Sequence, residues 1–411
     1  MQNENSLNQR TQWAERHVEE FLGLPLVREF VLRSPQTIDG TQKEVADHLI
    51  LHRPGGVLIS QKCQEDPASR NETKTELWAR KNAKGAARQL VGALRAGSRP
   101  IWCDHARRGR VEFPAGLPPI THGLVLTEVF QPVDLNPDAE DLPLSCDGVP
   151  ITYLSVNDFL NLAVELRTVP ELIAYLDARR GLPIPDQRRI GSERPLFEFY
   201  LLEGGSLQGC AGISDAAVAV AAQEHRLSEA LARKKDSDFY SGLFEHVADA
   251  LATRAPDYAA NLPPEWSALF DQSPQRTNYL QLQEIIAGLR LRERTMLGKA
   301  FDETSKAVAG KAEGFVYRAM HFDAREEVFV VGASRNIERA ELYRRMEALM
   351  RAAMTAYGKT RCFIVVDRDS SGYEVGLSRP GFQSTVTDYE LAEHFFGRLK
   401  MTSGPVSLCR D

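Results

Sequence analysis

The feature that most constrains this chain is a succession of three short, apolar-rich stretches near its N-terminus that are separated by turn residues. They cover residues 27–33, 44–51 and 57–63. Pro35 and Gly40 fall between the first two, and residues 53–56, Arg-Pro-Gly-Gly, separate the second from the third. Short apolar-rich runs are typical of β-strands, and Pro and Gly between them are typical of turns. The pattern predicts three consecutive strands, of which the last two form a hairpin.

Helical patterns flank these three strands, over residues 12–22 before them and over residues 74–95 after them. Shorter strand-like stretches follow at residues 100–103 and 123–130. The order helix, three strands, helix and further strands predicts a mixed α/β domain over residues 1–150.

The rest of the chain changes character twice. Residues 131–150 predict a connector, residues 156–180 two short helices, and residues 215–301 a mainly helical region. In the last hundred residues, strand-like stretches occupy residues 315–322, 327–332, 361–367 and 373–377, and helical patterns occupy residues 337–357 and 389–399. The predicted fold class is therefore mixed α/β, with an α/β domain over residues 1–150, a mainly helical domain over residues 151–310 and a small α/β domain over residues 311–411.

Composition bounds the class of protein. The chain has 411 residues, 43% of them hydrophobic and 26% charged, which is the balance of a globular protein rather than of a disordered one. No apolar run reaches the roughly 18 residues that a membrane span needs, and residues 1–10 lack the apolar core of a secretory signal. The six cysteines are scattered without a CxxC pair, which favours reduced thiols. The expected location is the cytoplasm, without contact with a membrane.

The net charge of −6 conceals a strongly basic segment. From Lys74 to Arg110 the chain carries ten Lys or Arg residues and two acids, Glu76 and Asp104. A local basic surface on an acidic protein is typical of an enzyme that contacts a phosphate backbone without coating it. A solvated helix face followed by a basic loop is the alternative interpretation. The residues expected to hold nucleic acid, in the first instance DNA, are Lys81, Lys84, Arg88, Gln89, Arg107 and Arg108.

A second basic row lies on and just before the predicted helix at residues 337–357. Its members are Arg335, Arg339, Arg344, Arg345 and Arg351. A solvated helix face is the default interpretation, and contact with nucleic acid or a partner is the alternative.

Two charged residues fall on the predicted hairpin. Asp47 shares its strand parity with Val45 and Leu49, and Lys62 stands near the end of the following strand. Because the turn between the strands is short, the two side chains can meet at one end of the hairpin. A carboxylate there can hold a hard divalent cation, and a lysine can orient water or stabilise charge at a phosphoryl group. A structural Asp–Lys ion pair is the alternative.

These residues carry a resemblance to a known family. Glu44-Val-Ala-Asp-His-Leu-Ile-Leu51, the Gly-Gly turn and Val57-Leu-Ile-Ser-Gln-Lys-Cys-Gln64 resemble the catalytic hairpin of the restriction-endonuclease-like PD-(D/E)xK nuclease superfamily, in particular its nuclease-related and Mrr-type branches. The helix Trp78-Ala-Arg-Lys-Asn-Ala-Lys-Gly-Ala-Ala-Arg-Gln-Leu90 resembles the helix that follows in those branches. The resemblance covers roughly residues 15–104.

The resemblance implies a Mg²⁺- or Mn²⁺-dependent nuclease of bacterial type, with a role in defence against foreign DNA as a further expectation. Lys62 would position the attacking water, with Ser60 and Gln61 beside it in the motif. The ligands expected for the ion are Asp47 together with one or more of Glu15, Glu19 and Glu44.

One position departs from the family pattern, because Ser60 stands where the motif has Glu, Asp or sometimes Gln. A serine hydroxyl is a weaker ligand for Mg²⁺ than a carboxylate. Three interpretations therefore stay open: an active nuclease, a nuclease-like domain that has lost catalysis and binds nucleic acid or a protein, and a non-enzymatic interaction protein. A homo-oligomer is compatible with each of them.

Overall fold

The structure is a computed structural model. It describes residues 18–19, 21–37, 44–52, 55–62, 72–95, 99–105, 109–113, 119–127, 142–187, 190, 192–210, 212–254, 274–368, 372–378, 382–396 and 408–410. Its contacts divide the chain into two compact units, residues 1–234 with 256–288 and residues 235–255 with 289–411. Both units contain a sheet, so the predicted mixed α/β class is confirmed. The division into three domains stays a prediction.

The first unit is built on an eight-stranded sheet with the order β5-β4-β1-β2-β3-β6-β8-β7. The strands are β1 Val31–Thr37, β2 His48–His52, β3 Gly55–Lys62, β4 Ile101–His105, β5 Gly109–Phe113, β6 Ile120–Thr127, β7 Ser145–Cys146 and β8 Val149–Ser155. The three predicted consecutive strands are β1, β2 and β3, which pair antiparallel, and β2 and β3 form the predicted hairpin. The prediction of a connector up to residue 150 is wrong for its last part, where β7 and the start of β8 lie.

The direction of the sheet changes after β3. Helix α1, Glu72–Arg95, follows β3 in the chain and contacts both β3 and β6, and β6 runs parallel to both β3 and β8. Strand β3 lies between antiparallel β2 and parallel β6 inside the sheet, and every residue of β3 except Lys62 is buried. Gly55 permits this close pairing, because a Cβ there would lie 2.2 Å from the Thr121 side chain on β6.

Helices cover both faces of this sheet. On one face, Ala83, Ala86, Ala87 and Leu90 of α1 pack against buried residues that include Leu58. On the other face lie helices α2, Val156–Leu166, and α3, Val169–Arg180, as predicted for residues 156–180. The break between them has a local cause, since Arg167 adopts a left-handed conformation at φ 60° and a proline follows in the first turn of α3.

The remaining helices of the first unit are α4 Ile184–Gln187, α5 Arg194–Leu202, α6 Ile213–Ala221, the start of α7 Glu224–Arg254, and α8 Pro274–Gly288. A separate buried cluster joins several of them and includes Leu196, Phe199, Leu207 and Ala216. The helical character expected for the middle of the chain is therefore present.

The second unit contains a five-stranded sheet with the order β12-β11-β10-β9-β13. Its elements after α7 are α9 Leu291–Ala309, β9 Gly314–His321, β10 Glu327–Arg335, α10 Arg339–Tyr357, β11 Arg361–Arg368, β12 Tyr373–Leu377, α11 Val386–Phe396 and β13 Leu408–Arg410. Strands β10 and β11 are parallel, as expected for strands joined through a helix. Leu342 and Leu349 of α10 pack on Val330 and Ile364 of the sheet.

No helix in the described part of the chain has the length and apolar character needed to cross a bilayer.

Candidate functional site

Three polar side chains meet where β3 ends against α1. Ser60 and Lys62 share the strand parity of Leu58, which packs under α1. Both side chains therefore lie on the face of the sheet that α1 covers. The hydroxyl of Ser60 donates to Oε1 of Gln89 over 3.1 Å, and Nζ of Lys62 donates to the same oxygen over 3.2 Å. Gln89 therefore accepts both hydrogen bonds with one amide oxygen, and it fixes the lysine at the strand end.

Asp47 joins this group from the neighbouring strand. Its Oδ2 accepts the backbone N–H of Gln61 over 2.7 Å, and its own N–H donates to the carbonyl of Ile59 over 3.1 Å. If β2 were longer, one of its backbone carbonyls would accept the N–H of Gln61. Here the Asp47 carboxylate accepts it instead. The sequence-predicted residues Asp47, Ser60, Gln61 and Lys62 come together in this way. With Gln89 they form what we call the β3-end cluster.

Glu19 contacts a basic residue on the other face of the sheet. Its Oε1 lies 3.6 Å from Nη1 of Arg33, and Arg33 is the register partner of His48. Both share strand parity with residues that pack under α2 and α3, Val31 and Ile50. Burial lowers the pKa of His48, the carboxylates of Asp47 and Glu19 raise it, and Arg33 lowers it. Burial prevails, so His48 is a neutral imidazole near pH 7.

The described side chains do not by themselves fit a divalent metal ion. Asp47 caps a backbone amide, Glu19 faces Arg33, and the Ser60 hydroxyl donates to Gln89. Glu44 is exposed, and its backbone forms an isolated antiparallel β-bridge with that of Gln36. Glu15 lies outside the described residues. Within the described part of the chain, no three His, Cys, Asp or Glu side chains are grouped to hold an ion. The metal site stays a prediction.

The predicted nucleic-acid residues on α1 fall into two groups. Lys81 and Arg88 are exposed, whereas Lys84 is half-buried and Gln89 belongs to the β3-end cluster. Arg107 and Arg108 lie outside the described residues.

The exposed side of α1 has a distinctive composition. Among the α1 residues whose side chains are described, the exposed ones are Lys74, Leu77, Lys81, Gly85, Arg88, Gly92 and Arg95. Four of these seven are basic and none is acidic. The four basic residues recur every seventh position, which places them about 10.5 Å apart along the helix. We call these seven residues the α1 basic face.

The two glycines of the α1 basic face serve no packing purpose within the described chain. A Cβ at Gly85 or Gly92 would meet no atom within 4 Å, and neither glycine has a positive φ. Glycine inside a helix costs about 1 kcal/mol relative to alanine. Both glycines therefore lower helix stability, and because they have no side chain they leave the helix backbone accessible at these two positions.

Sequence reasoning missed a second polar centre, in the first unit. The Tyr175 hydroxyl donates to Oε2 of Glu193 over 2.5 Å, and Nε of Arg179 donates to Oε1 over 2.7 Å. Burial and the adjacent Glu193 carboxylate raise the pKa of Tyr175 well above its ordinary value. The one signal in the sequence was an arginine four residues after a tyrosine, at helical spacing from the apolar residues Leu172 and Leu176.

Comparisons of the chain with protein-family models, with curated proteins and with solved structures gave no match.

Proposed function

We propose that the first unit binds nucleic acid along the α1 basic face. The observation that carries the proposal is the exposed row of four basic residues, with no acid among the exposed α1 side chains that the structure describes. Neither Lys81 nor Arg88 has a carboxylate partner among the described residues. Their charges are therefore available to neutralise phosphates and to release the counterions that surround nucleic acid.

The neighbouring residues support the same ligand. Gln89 follows Arg88 directly on α1, so the β3-end cluster borders the basic face, with the Lys62 ammonium held by Gln89. A phosphate backbone lying on this side of the helix would meet the low surface at Gly85 and Gly92 and the basic side chains around it. Contacts of this kind position a nucleic acid and do not select its base sequence.

A second candidate function is hydrolysis of the bound nucleic acid with the help of Mg²⁺ or Mn²⁺. The observation in its favour is that Asp47 and Lys62 both belong to the β3-end cluster, Asp47 through the N–H of Gln61 and Lys62 through Gln89, at the positions that the resemblance to the PD-(D/E)xK nucleases implies. A bound divalent ion would polarise a phosphoryl group and activate water. Ligands beyond the described side chains would be required, because those described do not compose a site. A role in defence and assembly into a homo-oligomer are supported only by the same resemblance.

Binding is tested by fluorescence anisotropy of the full chain with a labelled DNA duplex at several salt concentrations. We expect log K to fall with log salt, and the Lys81→Gln/Arg88→Gln variant to reduce the slope by about 2, because two phosphate contacts are lost. A variant with unchanged slope and affinity would overturn the proposal, as would a wild-type chain that fails to bind at low salt.

Cleavage is tested separately, on plasmid DNA with Mn²⁺ and with EDTA as the control. Asp47→Asn and Lys62→Gln preserve the size of each side chain and remove its charge. The nuclease candidate requires cleavage by the wild type and its loss in both variants. Binding without cleavage in all three proteins leaves nucleic-acid binding as the function and excludes hydrolysis.

A further inference from the structure

A cavity of about 320 Å³ opens in the first unit, remote in sequence from α1. It is lined by residues of α2, α5 and α7, and its volume lies within the range of small-molecule sites. The apolar lining residues are Leu162, Val164, Phe197, Leu201 and Leu231. The polar lining residues are Asp158, Asn161, Glu165, Glu193, Arg194 and Glu198.

Three of the four carboxylates in this lining already have a cationic partner. Glu165 pairs with Lys234 over 2.8 Å. Glu193 pairs with Arg179 over 2.7 Å, and Glu198 pairs with Arg194 over 3.0 Å. These three acids therefore contribute little net charge to the cavity.

The fourth carboxylate, Asp158, has only neutral donors among the described residues. Its Oδ2 accepts the hydroxyl of Ser155 over 2.8 Å, and its Oδ1 accepts the backbone N–H of Glu193 over 3.2 Å. These hydrogen bonds fix the carboxylate in position without neutralising it. The lining and its partners thus leave one negative charge uncompensated, at a defined place.

The apolar part of the cavity is accessible from solvent. Val164 is 67% exposed and Leu231 is 42% exposed, whereas Leu162 and Phe197 are buried behind them. A ligand that covers Val164 and Leu231 removes apolar surface from water, and each Å² contributes about 25 cal/mol.

From these contacts we infer that the cavity binds an organic ammonium ion: one positive charge on an apolar body. The ammonium lies against Asp158, and the apolar body packs between Phe197, Leu201 and Leu231. An anionic ligand is disfavoured, because Arg194 is the one cation in the described lining and Glu198 binds it. The ligand of this cavity is therefore opposite in charge to the polyanion proposed for the α1 basic face.

The test uses the full-length chain and three probes of nearly equal size: 2-phenylethylamine, 2-phenylethanol and 3-phenylpropanoate. Calorimetric or NMR titration at pH 7 keeps the amine protonated. We expect the amine to bind with a Kd of about 1 mM, the alcohol at least about 10-fold more weakly and the carboxylate not at all. A fourth probe, Nα-acetyl-lysine amide, presents the ammonium on a lysine side chain. Binding of this probe as tight as that of 2-phenylethylamine indicates a lysine side chain as the natural source of the ammonium, and weaker binding indicates a free amine.

Two variants locate the site. Asp158→Asn retains side-chain hydrogen-bonding groups and removes the charge. It should therefore weaken amine binding about 10-fold, to an affinity close to that of the alcohol. The control variant Asp215→Asn, at an exposed position outside the lining, should have no effect. Val164→Trp fills the mouth from an exposed position and should abolish binding of all probes. Equal binding of amine and alcohol, an unaffected Asp158→Asn variant or no amine binding at 20 mM, about 20 times the expected Kd, would each overturn the inference.

Discussion

Helices α1 and α10 both carry a row of basic residues, and in the sequence they look alike. In the structure they differ in what their charges contact. On α10, Arg351 binds Asp388 through two hydrogen bonds of 2.6 and 3.2 Å. Arg344 and Arg345 both bind Glu341, over 2.9 and 2.7 Å.

The same holds for the start of α10, where Arg339 lies 3.2 Å from Glu374 of β12. On α1, neither Lys81 nor Arg88 contacts a carboxylate within the described chain. The comparison teaches that a basic row predicts an anionic ligand only after its intramolecular partners are known. The net charge of a surface, and not its number of arginines, attracts phosphate.

The largest expected effect comes from reversing charges on the two helices in turn. Lys81→Glu/Arg88→Glu should reduce affinity for duplex DNA about 100-fold at low salt, because two attractive contacts become repulsive. The matched variant Arg344→Glu/Arg345→Glu, which reverses charges already bound by Glu341, should change it less than about 2-fold. Anisotropy titrations measure both, and equal losses from the two helices would refute the distinction between them.

A second prediction tests whether the charges of α10 are structural. Asp388 is fully buried, binds Arg351 and accepts the backbone N–H and the hydroxyl of Thr385 at the start of α11. Asp388→Ala should therefore lower the free energy of unfolding of the second unit by about 2–3 kcal/mol. Lys81→Ala should change stability by less than about 0.5 kcal/mol. Chemical denaturation gives both values, and similar small changes would show that the Asp388 network is dispensable.

The pH dependence of stability sharpens the same point. Hydrogen bonds from Arg351 lower the pKa of Asp388 to about 2, and those from Thr385 act in the same direction. The folded state therefore releases this proton more readily than the unfolded chain, whose aspartates titrate near 3.9. The resulting stabilisation is complete above about pH 5 and is lost as the pH falls from about 4 to about 2. Asp388→Asn should remove this component, so wild type and variant should converge in acid. A constant difference between them from pH 6 to pH 2 would contradict it.

The smallest effect concerns the glycines of the α1 basic face. Gly85→Ala and Gly92→Ala should each stabilise the first unit by about 0.5–1 kcal/mol, since a Cβ meets no neighbour at either position. If a phosphate backbone lies against this face, the double variant should also bind DNA about 2- to 5-fold more weakly, despite its greater stability. Greater stability with unchanged affinity would place the nucleic acid away from the glycines.

The sequence predicted the central strands and the long helix because their signals are local. Short apolar-rich runs, the Gly-Gly turn and the helical spacing of Ala83, Ala86 and Leu90 do not depend on distant parts of the chain. It missed β5, β7 and β8, which are short and lie in or beside polar, proline-containing stretches. Their strand character comes from pairing with neighbours such as β6, and pairing is a property of the assembled sheet.

The candidate site was predicted in part for the same reason. That Asp47 and Lys62 lie at the same end of β2 and β3 follows from a short hairpin, which sequence can show. That Gln89 would bind both Ser60 and Lys62, and that Asp47 would cap a backbone amide, depends on how α1 lies across the sheet. The uncompensated charge of Asp158 is likewise defined by its partners, Ser155 at the start of the same helix and the backbone N–H of the distant Glu193.

By itself, the sequence determined the hairpin strands, the long helix α1 and which residues carry charge, because those preferences reside in each residue and its near neighbours. The tertiary structure decided which charges are compensated and which remain available to a ligand, as on α1 and beside Asp158. The physical reason is that electrostatic compensation acts over a few ångströms in space, and ion pairs such as Arg351 with Asp388 and Lys234 with Glu165 join residues that are far apart in the sequence.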